Sequence, residues 1–318
     1  MEEKSESPIH YFTCLPYLNL GDTREINLGF AKVWNFSLLS EKYIPDQSLR
    51  ESISTILKNY RTSNPSFLDD ISYPPVSGIG IISTDILTNE KPTAEEMEKI
   101  NDARLILFID FLGEWNTVTR NVNSGHSMAS SENFASVNFS VNTTSKHMTE
   151  YTGFVVPSWH GGIDMDKNML IRPRYVPTPR FNMYHPDLLN SLLKIRSRHR
   201  KTFRRLISAV EVFYEACYNA PHLSHNARIL LQASAFEILL DSGAGGGRER
   251  IKLFIKQHST YKGEKNYYFT SERRGGSVKE RGTIREKWAD RFFTLRNHIT
   301  NGHVPKEKEY FFGKWQRH

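Results

Sequence analysis

Arg296, Asn297 and His303, near the end of the 318-residue chain, are the side chains whose types and spacing come nearest to a chemistry. A guanidinium presents forked donors that fit the non-bridging oxygens of a phosphate. An imidazole ordinarily titrates near neutral pH, so it can take up or deliver a proton there. An amide between them can orient the site by hydrogen bonding. Holding a phosphate and moving a proton at one place is what phosphoryl chemistry asks of a protein. The interval alone carries little information, because Arg120 with His126, Arg180 with His185 and Arg291 with His298 match the same loose Arg-to-His pattern. Cations at a helix C-terminus are also favoured simply by the helix dipole.

The elements that must position these groups are helical. Ile284, Trp288, Phe292, Leu295 and Ile299 recur at helical spacing, which predicts an amphipathic helix. Asn301-Gly302 is a stop signal, and Pro305 keeps Val304 out of the helical region. Arg296 then lies about one turn before the helix end. His303 lies just past it, where the turn lets it fold back, and His298 falls on a different helical face. Two helices precede this one, at about 200–219 and 225–241. Leu206, Val210, Phe213 and Cys217 make one apolar stripe; Ile229, Leu230, Ala233, Phe236, Ile238 and Leu240 make a broader one. Glu237, flanked by Phe236 and Ile238, is either an ordinary exposed acid or a partly buried one needing a basic partner. Arg296 is a candidate for that partner.

Two long helices ending in Glu237-Ile-Leu-Leu240, a variable loop and then a Leu295-Arg296-Asn297 helix resemble the HEPN superfamily, and most of all the ApeA-like HEPN domains. The resemblance covers roughly residues 185–318. In that superfamily an Arg, a polar residue and a His four to six residues further on mark metal-independent endoribonucleases. The resemblance implies the same roles for Arg296, Asn297 and His303. It also implies a homodimer in which two motifs face each other, and service in toxin, RNA-processing or antiviral abortive-infection systems. The first part of the chain would then be a sensor or regulator with an unknown ligand or protein trigger. The superfamily usually continues with a substantial helix after the motif, whereas only residues 306–318 follow it here, so either that helix is very short or the sequence is truncated.

Charge divides the chain in the same place. Residues 1–170 carry 13 Lys plus Arg against 22 Asp plus Glu, a net of −9, whereas residues 171–318 carry 29 against 13, a net of +16. A basic part of this size points to a polyanion, RNA or DNA, with no membrane expected, since no lipidation signal accompanies it; the resemblance makes RNA the expected partner. The densest run is residues 194–205, where Lys194, Arg196, Arg198, Arg200, Lys201, Arg204 and Arg205 supply seven charges in twelve positions. Such a run can be a solvated helical face, but no acid relieves its repulsion before Glu211, so a phosphate backbone is the expected neutraliser. Residues 271–283, with Arg273, Arg274, Lys279 and Arg281 around Gly275-Gly276, read as a mobile basic loop. Gly243 to Gly247 read as a helix stop and flexible connection, not a nucleotide loop, because they follow a helix and lack a Lys-Ser/Thr ending.

The expected fold class is α+β, with a mixed, strand-rich domain over residues 1–170 and an all-α HEPN-like bundle over residues 185–318. Partial alternation predicts strands at about 10–15, 26–36, 76–82 and 134–141. Helices are predicted from about Gln47 to Tyr60 and from the capping box Thr93-Ala-Glu-Glu96. The run 105–112 is either a buried strand or an extension of that second helix. Ser- and Asn-rich residues 121–146 read as a long loop or hairpin, and the prolines of 157–186 mark the boundary between the parts.

No metal or cofactor is called for. Asp164-Met-Asp166-Lys-Asn168 opens like a calcium loop, but Met169 and Tyr175 stand where the turn Gly and closing Glu belong. His160-Gly-Gly resembles an oxyanion loop without any nucleophile turn to serve, and His126 and His147 are too scattered for zinc. With only Cys14 and Cys217 there is no disulfide framework, and a cytoplasmic setting is expected. The acidic, polar N-terminus is wrong for a secretory signal.

Overall fold

A computed structural model describes residues 9–62, 75–76, 78–84, 91–121, 131–144, 147–151, 163–167, 172–174, 185–217, 223–241, 247–258, 266–273, 275–303 and 305. The fold is α+β, and the chain divides into two units, Met1–Arg198 and His199–His318. In order, the first unit carries β1 (Ile9–Asn19), β2 (Glu25–Asn27), β3 (Lys32–Asn35), α1 (Phe36–Tyr43), α2 (Gln47–Leu57), β4 (Tyr60–Thr62) and β5 (Ile79–Ser83). It continues with α3 (Ala94–Asn121), a 3-10 turn (Ser131–Phe134), β6 (Val137–Asn142), β7 (His147–Tyr151), β8 (Ile163–Asp166), β9 (Arg172–Arg174) and α4 (Pro186–Arg198). The second unit carries α5 (Arg200–Cys217), α6 (His225–Leu240), α7 (Gly247–His258), β10 (Tyr267–Arg273), β11 (Gly276–Gly282) and α8 (Ile284–Thr300).

The first unit is organised on β1, which pairs antiparallel with β5 on one side and β6 on the other. The seven-stranded sheet runs β2-β3-β5-β1-β6-β7-β8. Strand β1 is apolar almost throughout, as a strand covered on both faces must be, and its register slips between Leu15 and Asn19 around Pro16, which has no N–H to give. Trp34, Phe36, Leu39, Ile53, Ile56 and Phe139 form part of one core under α1 and α2. The expected strand at 26–36 is a hairpin, β2 with β3. The run 105–112 is helical: the Thr93–Glu96 capping box forms, with Thr93 N donating to Glu96 Oε2 at 2.7 Å, and nothing stops the helix it starts. Residues 122–130, including His126, lie outside the described residues, as do residues 152–162 with His160, residues 168–171 and residues 175–184.

Helix α4 is grouped with the first unit, and specific bonds account for it. Asp110 of α3 is buried and accepts the backbone N–H of His185 at 3.0 Å, at the start of α4. Asp102, also buried, faces Arg196 Nε at 3.5 Å, and the Arg196 guanidinium lies 3.6 Å from the centre of the Phe30 ring. The basic run is therefore not one helix. It breaks at His199, whose carbonyl accepts Phe203 N to open α5.

The second unit is not all-α, because residues 267–282 form an antiparallel hairpin. The expected basic loop is strand: Tyr267-Tyr-Phe-Thr270 are β-formers, and Gly275, at φ +101°, lies in the tight turn between the paired Arg273 and Gly276. The stripe on α5 is also rotated from the expected one. Phe203, Ile207 and Tyr214 are buried, while Leu206, Val210, Phe213 and Cys217 are half-buried, since α5 carries apolar residues on two adjacent faces. Burial pushes the Cys217 thiol up to about 11, with Arg228 opposing. Helix α6 stops at Asp241, in the left-handed region at φ 52°, ahead of the glycines; residues 242–246 lie outside the described residues.

Ala233, Ile251, Ala289, Phe292 and Phe293 form the core where α6, α7 and α8 meet, with Phe236 and Trp288 packed against it. Gly247 permits the close approach of α7, because a Cβ there would meet Phe293 Cε1 at 2.7 Å and Glu237 Oε1 at 3.1 Å. A buried polar cluster fastens the hairpin. Ser271 Oγ donates to Asp290 Oδ1 at 2.6 Å, Arg248 Nη1 and Lys252 Nζ lie 3.7 and 3.9 Å from the same oxygen, and Lys252 also bonds Glu280. Among the described residues no helix is long and apolar enough to cross a membrane.

Candidate active site at the end of helix α8

Helix α8 is fixed at its start by a reciprocal capping box, Thr283 with Glu286, and along its length by buried Ala289, Phe292, Phe293 and Leu295. The Thr-x-x-Glu pattern was readable in the sequence, but the apolar spacing alone located the helix. With its axis held, the side chains of its last turn have defined neighbours.

Arg296 faces α6. Its Nη2 lies 3.2 Å from Glu237 Oε1 and 3.3 Å from Oε2, and its Nη1 donates to Asn297 Oδ1 at 3.1 Å. The Glu237 side chain is 23% exposed and that of Arg296 31%, so the pair sits at the edge of the core. The expected partnership of Glu237 with Arg296 is present. A guanidinium has five N–H donors, so these contacts hold its plane without exhausting it.

His303 faces elsewhere. The backbone past α8 makes the paired bonds of a Schellman turn: His303 N donates to the His298 carbonyl at 3.0 Å, and Gly302 N to that of Ile299 at 3.1 Å. Gly302 takes φ +79°, as that turn requires. The exposed His303 folds back as its spacing allowed, and its ring centre comes 5.8 Å from that of His298, edge to face. His298 Nε2 in turn lies 3.3 Å from Glu272 Oε2 on the hairpin.

These contacts form two groups. Arg296, Asn297 and Glu237 make one; His298, His303 and Glu272 make the other. At about 100° per residue, Arg296 and His298 project some 200° apart around α8. His298 does lie on another helical face from Arg296, but that is the face on which His303 lands, so the residue set aside on spacing is the one His303 meets. Sequence spacing missed it because the turn, not the helix, decides where His303 goes. Among the described residues no group of His, Cys, Asp and Glu has the makings of a metal site.

The seven residues of the basic run divide as well. Lys194, Arg198, Arg200 and Lys201 are exposed. Arg196 is engaged by Asp102 and Phe30, Arg205 Nη1 pairs with Asp241 at 2.9 Å, and the half-buried Arg204 lies 5.7 Å from the Phe203 ring centre. Comparison with known proteins finds no matching family model, no similar curated protein and no similar solved structure.

The Schellman turn gives a stability prediction. Gly302→Ala meets no steric obstacle, since nothing lies within 4 Å of the added Cβ, so its cost is the left-handed backbone alone. Denaturant unfolding should show a loss of about 1–2 kcal/mol. Circular dichroism should show α8 retained.

Proposed function

We propose that the chain is a metal-independent endoribonuclease of the HEPN kind, with His298 and His303 as its proton-transfer pair and Arg296 as its phosphate-binding group. The observation that carries this reading is the pair of imidazoles 5.8 Å apart at the end of α8, one held by a backbone turn and the other by a carboxylate. Cleavage of RNA by its own 2′-hydroxyl needs a base to take that proton and an acid to protonate the departing 5′-oxygen. Two adjacent imidazoles supply both. Glu272 orients His298, and Asn297 and Glu237 orient Arg296, which would stabilise charge on the non-bridging oxygens. Because Arg296 and His303 belong to different contact groups, two copies facing each other would bring the Arg of one to the His pair of the other. The half-buried Leu206, Val210 and Phe213 of α5 are apolar surface for such a pairing. The first unit would regulate the second, since its acidity disfavours RNA.

A second reading, RNA binding without cleavage, is favoured by one observation: the Glu237–Arg296 pair also serves as a core-edge ion pair that needs no substrate. Labelled single-stranded RNA incubated with the full chain in EDTA separates the two. Cleavage is expected; retention without cleavage would leave the binding module, and neither would overturn both.

A further inference from the structure

The β10–β11 hairpin turns one face to Asp290 and the α8 core through Phe269 and Ser271, both buried. Strand alternation puts Tyr268, Thr270 and Glu272 on the opposite face, opposite Arg281, Lys279 and Ser277 in turn. Every one of those six residues is exposed, and Tyr268 is 67% exposed, the most exposed large hydrophobic side chain among the described residues. Its ring has Lys279 Nζ 5.1 Å and Arg281 Cζ 6.0 Å from its centre. An aromatic ring standing in solvent beside two cations is poor packing and a good surface for a nucleobase with its phosphates.

The position matters as much as the composition. Tyr268 and Glu272 share a face four residues apart, about 13 Å along the strand. Glu272 is the residue that holds His298. A strand of RNA lying along this face from Tyr268 would therefore run to the imidazole pair.

We infer that the outer face of the hairpin is a binding platform for single-stranded RNA, on which Tyr268 stacks a base while Lys279 and Arg281 hold phosphates. Among the described residues two cations, Lys279 and Arg281, stand on this face, so stacking contributes an affinity that salt does not remove. This inference rests on the endoribonuclease reading and names how that site takes its substrate.

The test uses the full chain and a fluorescein-labelled, 2′-O-methylated single-stranded RNA, which binds but lacks the attacking hydroxyl, followed by anisotropy across a salt series. Tyr268→Ala should weaken binding roughly 5- to 150-fold with an unchanged salt slope. Tyr268→Phe should stay close to the native chain, since the ring and not the hydroxyl does the stacking. Lys279→Gln with Arg281→Gln should flatten the slope by about 1.4, the share of two phosphates on a single strand. Unaltered melting of each variant shows that the fold is kept. Native binding with no loss in Tyr268→Ala would overturn the platform and leave the endoribonuclease reading standing. Polyglutamate displacing the RNA as well as unlabelled RNA does would also overturn it, because the face would then read charge alone. A native chain that holds no RNA would overturn both.

Discussion

His303→Ala should lower RNA cleavage by about 100- to 10,000-fold while RNA binding changes little, because a proton-transfer group acts in the transition state and not in the bound complex. His298→Ala should fall by a similar factor. That second expectation departs from what the spacing implies, since Arg291 with His298 would there be an idle rival match. The ring contact with His303 and the carboxylate of Glu272 give His298 the surroundings of a working imidazole. Single-turnover rates with labelled RNA provide the measurement, with filter binding of uncleavable RNA beside it. Arg296→Lys should lose both rate and affinity, because an ammonium keeps the charge but not the fork. The exposed Arg291 supplies the control, and Arg291→Ala should cut RNA at nearly the native rate. Loss of cleavage in Arg291→Ala with full cleavage in His303→Ala would mean that the site lies elsewhere.

The largest expected effect on stability is at Asp290. Asp290 is 1% exposed; its carboxylate accepts from Ser271 and faces two cations, of which Lys252 is itself buried and Arg248 half-buried. Asp290→Ala leaves those cations in the interior with one acid fewer, a change worth about 3–5 kcal/mol. Thermal unfolding of the second unit should register it as a much lower midpoint. Asp290→Asn keeps an acceptor for Ser271 and should lose less. Because Ser271 and Glu280 tie the same cluster to the hairpin, Asp290→Ala should also loosen Glu272 from His298, so hydrogen exchange in β10 should rise with the loss of stability.

The sequence carried the parts of this fold that depend on local pattern. Thr93-Ala-Glu-Glu96 capped α3 as its residue types require, and the spacing of Ile284, Trp288, Phe292 and Leu295 located α8. Asn301-Gly302 announced the turn that returns His303. What was not legible depends on contacts distant in sequence. Nothing local distinguishes α4 from α5 across residues 194–205; the division comes from Asp102 and Asp110, some 75 to 94 positions earlier. Residues 271–283 looked like a loop because Arg and Gly dominate them, although the β-formers of Tyr267 to Thr270 were in view. In α5 two apolar stripes lie side by side, and which is buried is settled by α6. At the site, Glu237 with Arg296 was foreseeable as a charge near a core edge, whereas the meeting of His298 and His303 needed the geometry of a Schellman turn.

The most direct test of the account is the chemistry of the cut ends. Single-stranded RNA cleaved by the full chain in excess EDTA should carry a 2′,3′-cyclic phosphate on one product and a 5′-hydroxyl on the other, read by mass spectrometry. Full 2′-O-methylation should abolish the reaction, because the attacking oxygen is then blocked. A 5′-phosphate product, cleavage of the methylated RNA, or cleavage that appears only when a divalent metal is restored would contradict attack by the 2′-hydroxyl under two imidazoles.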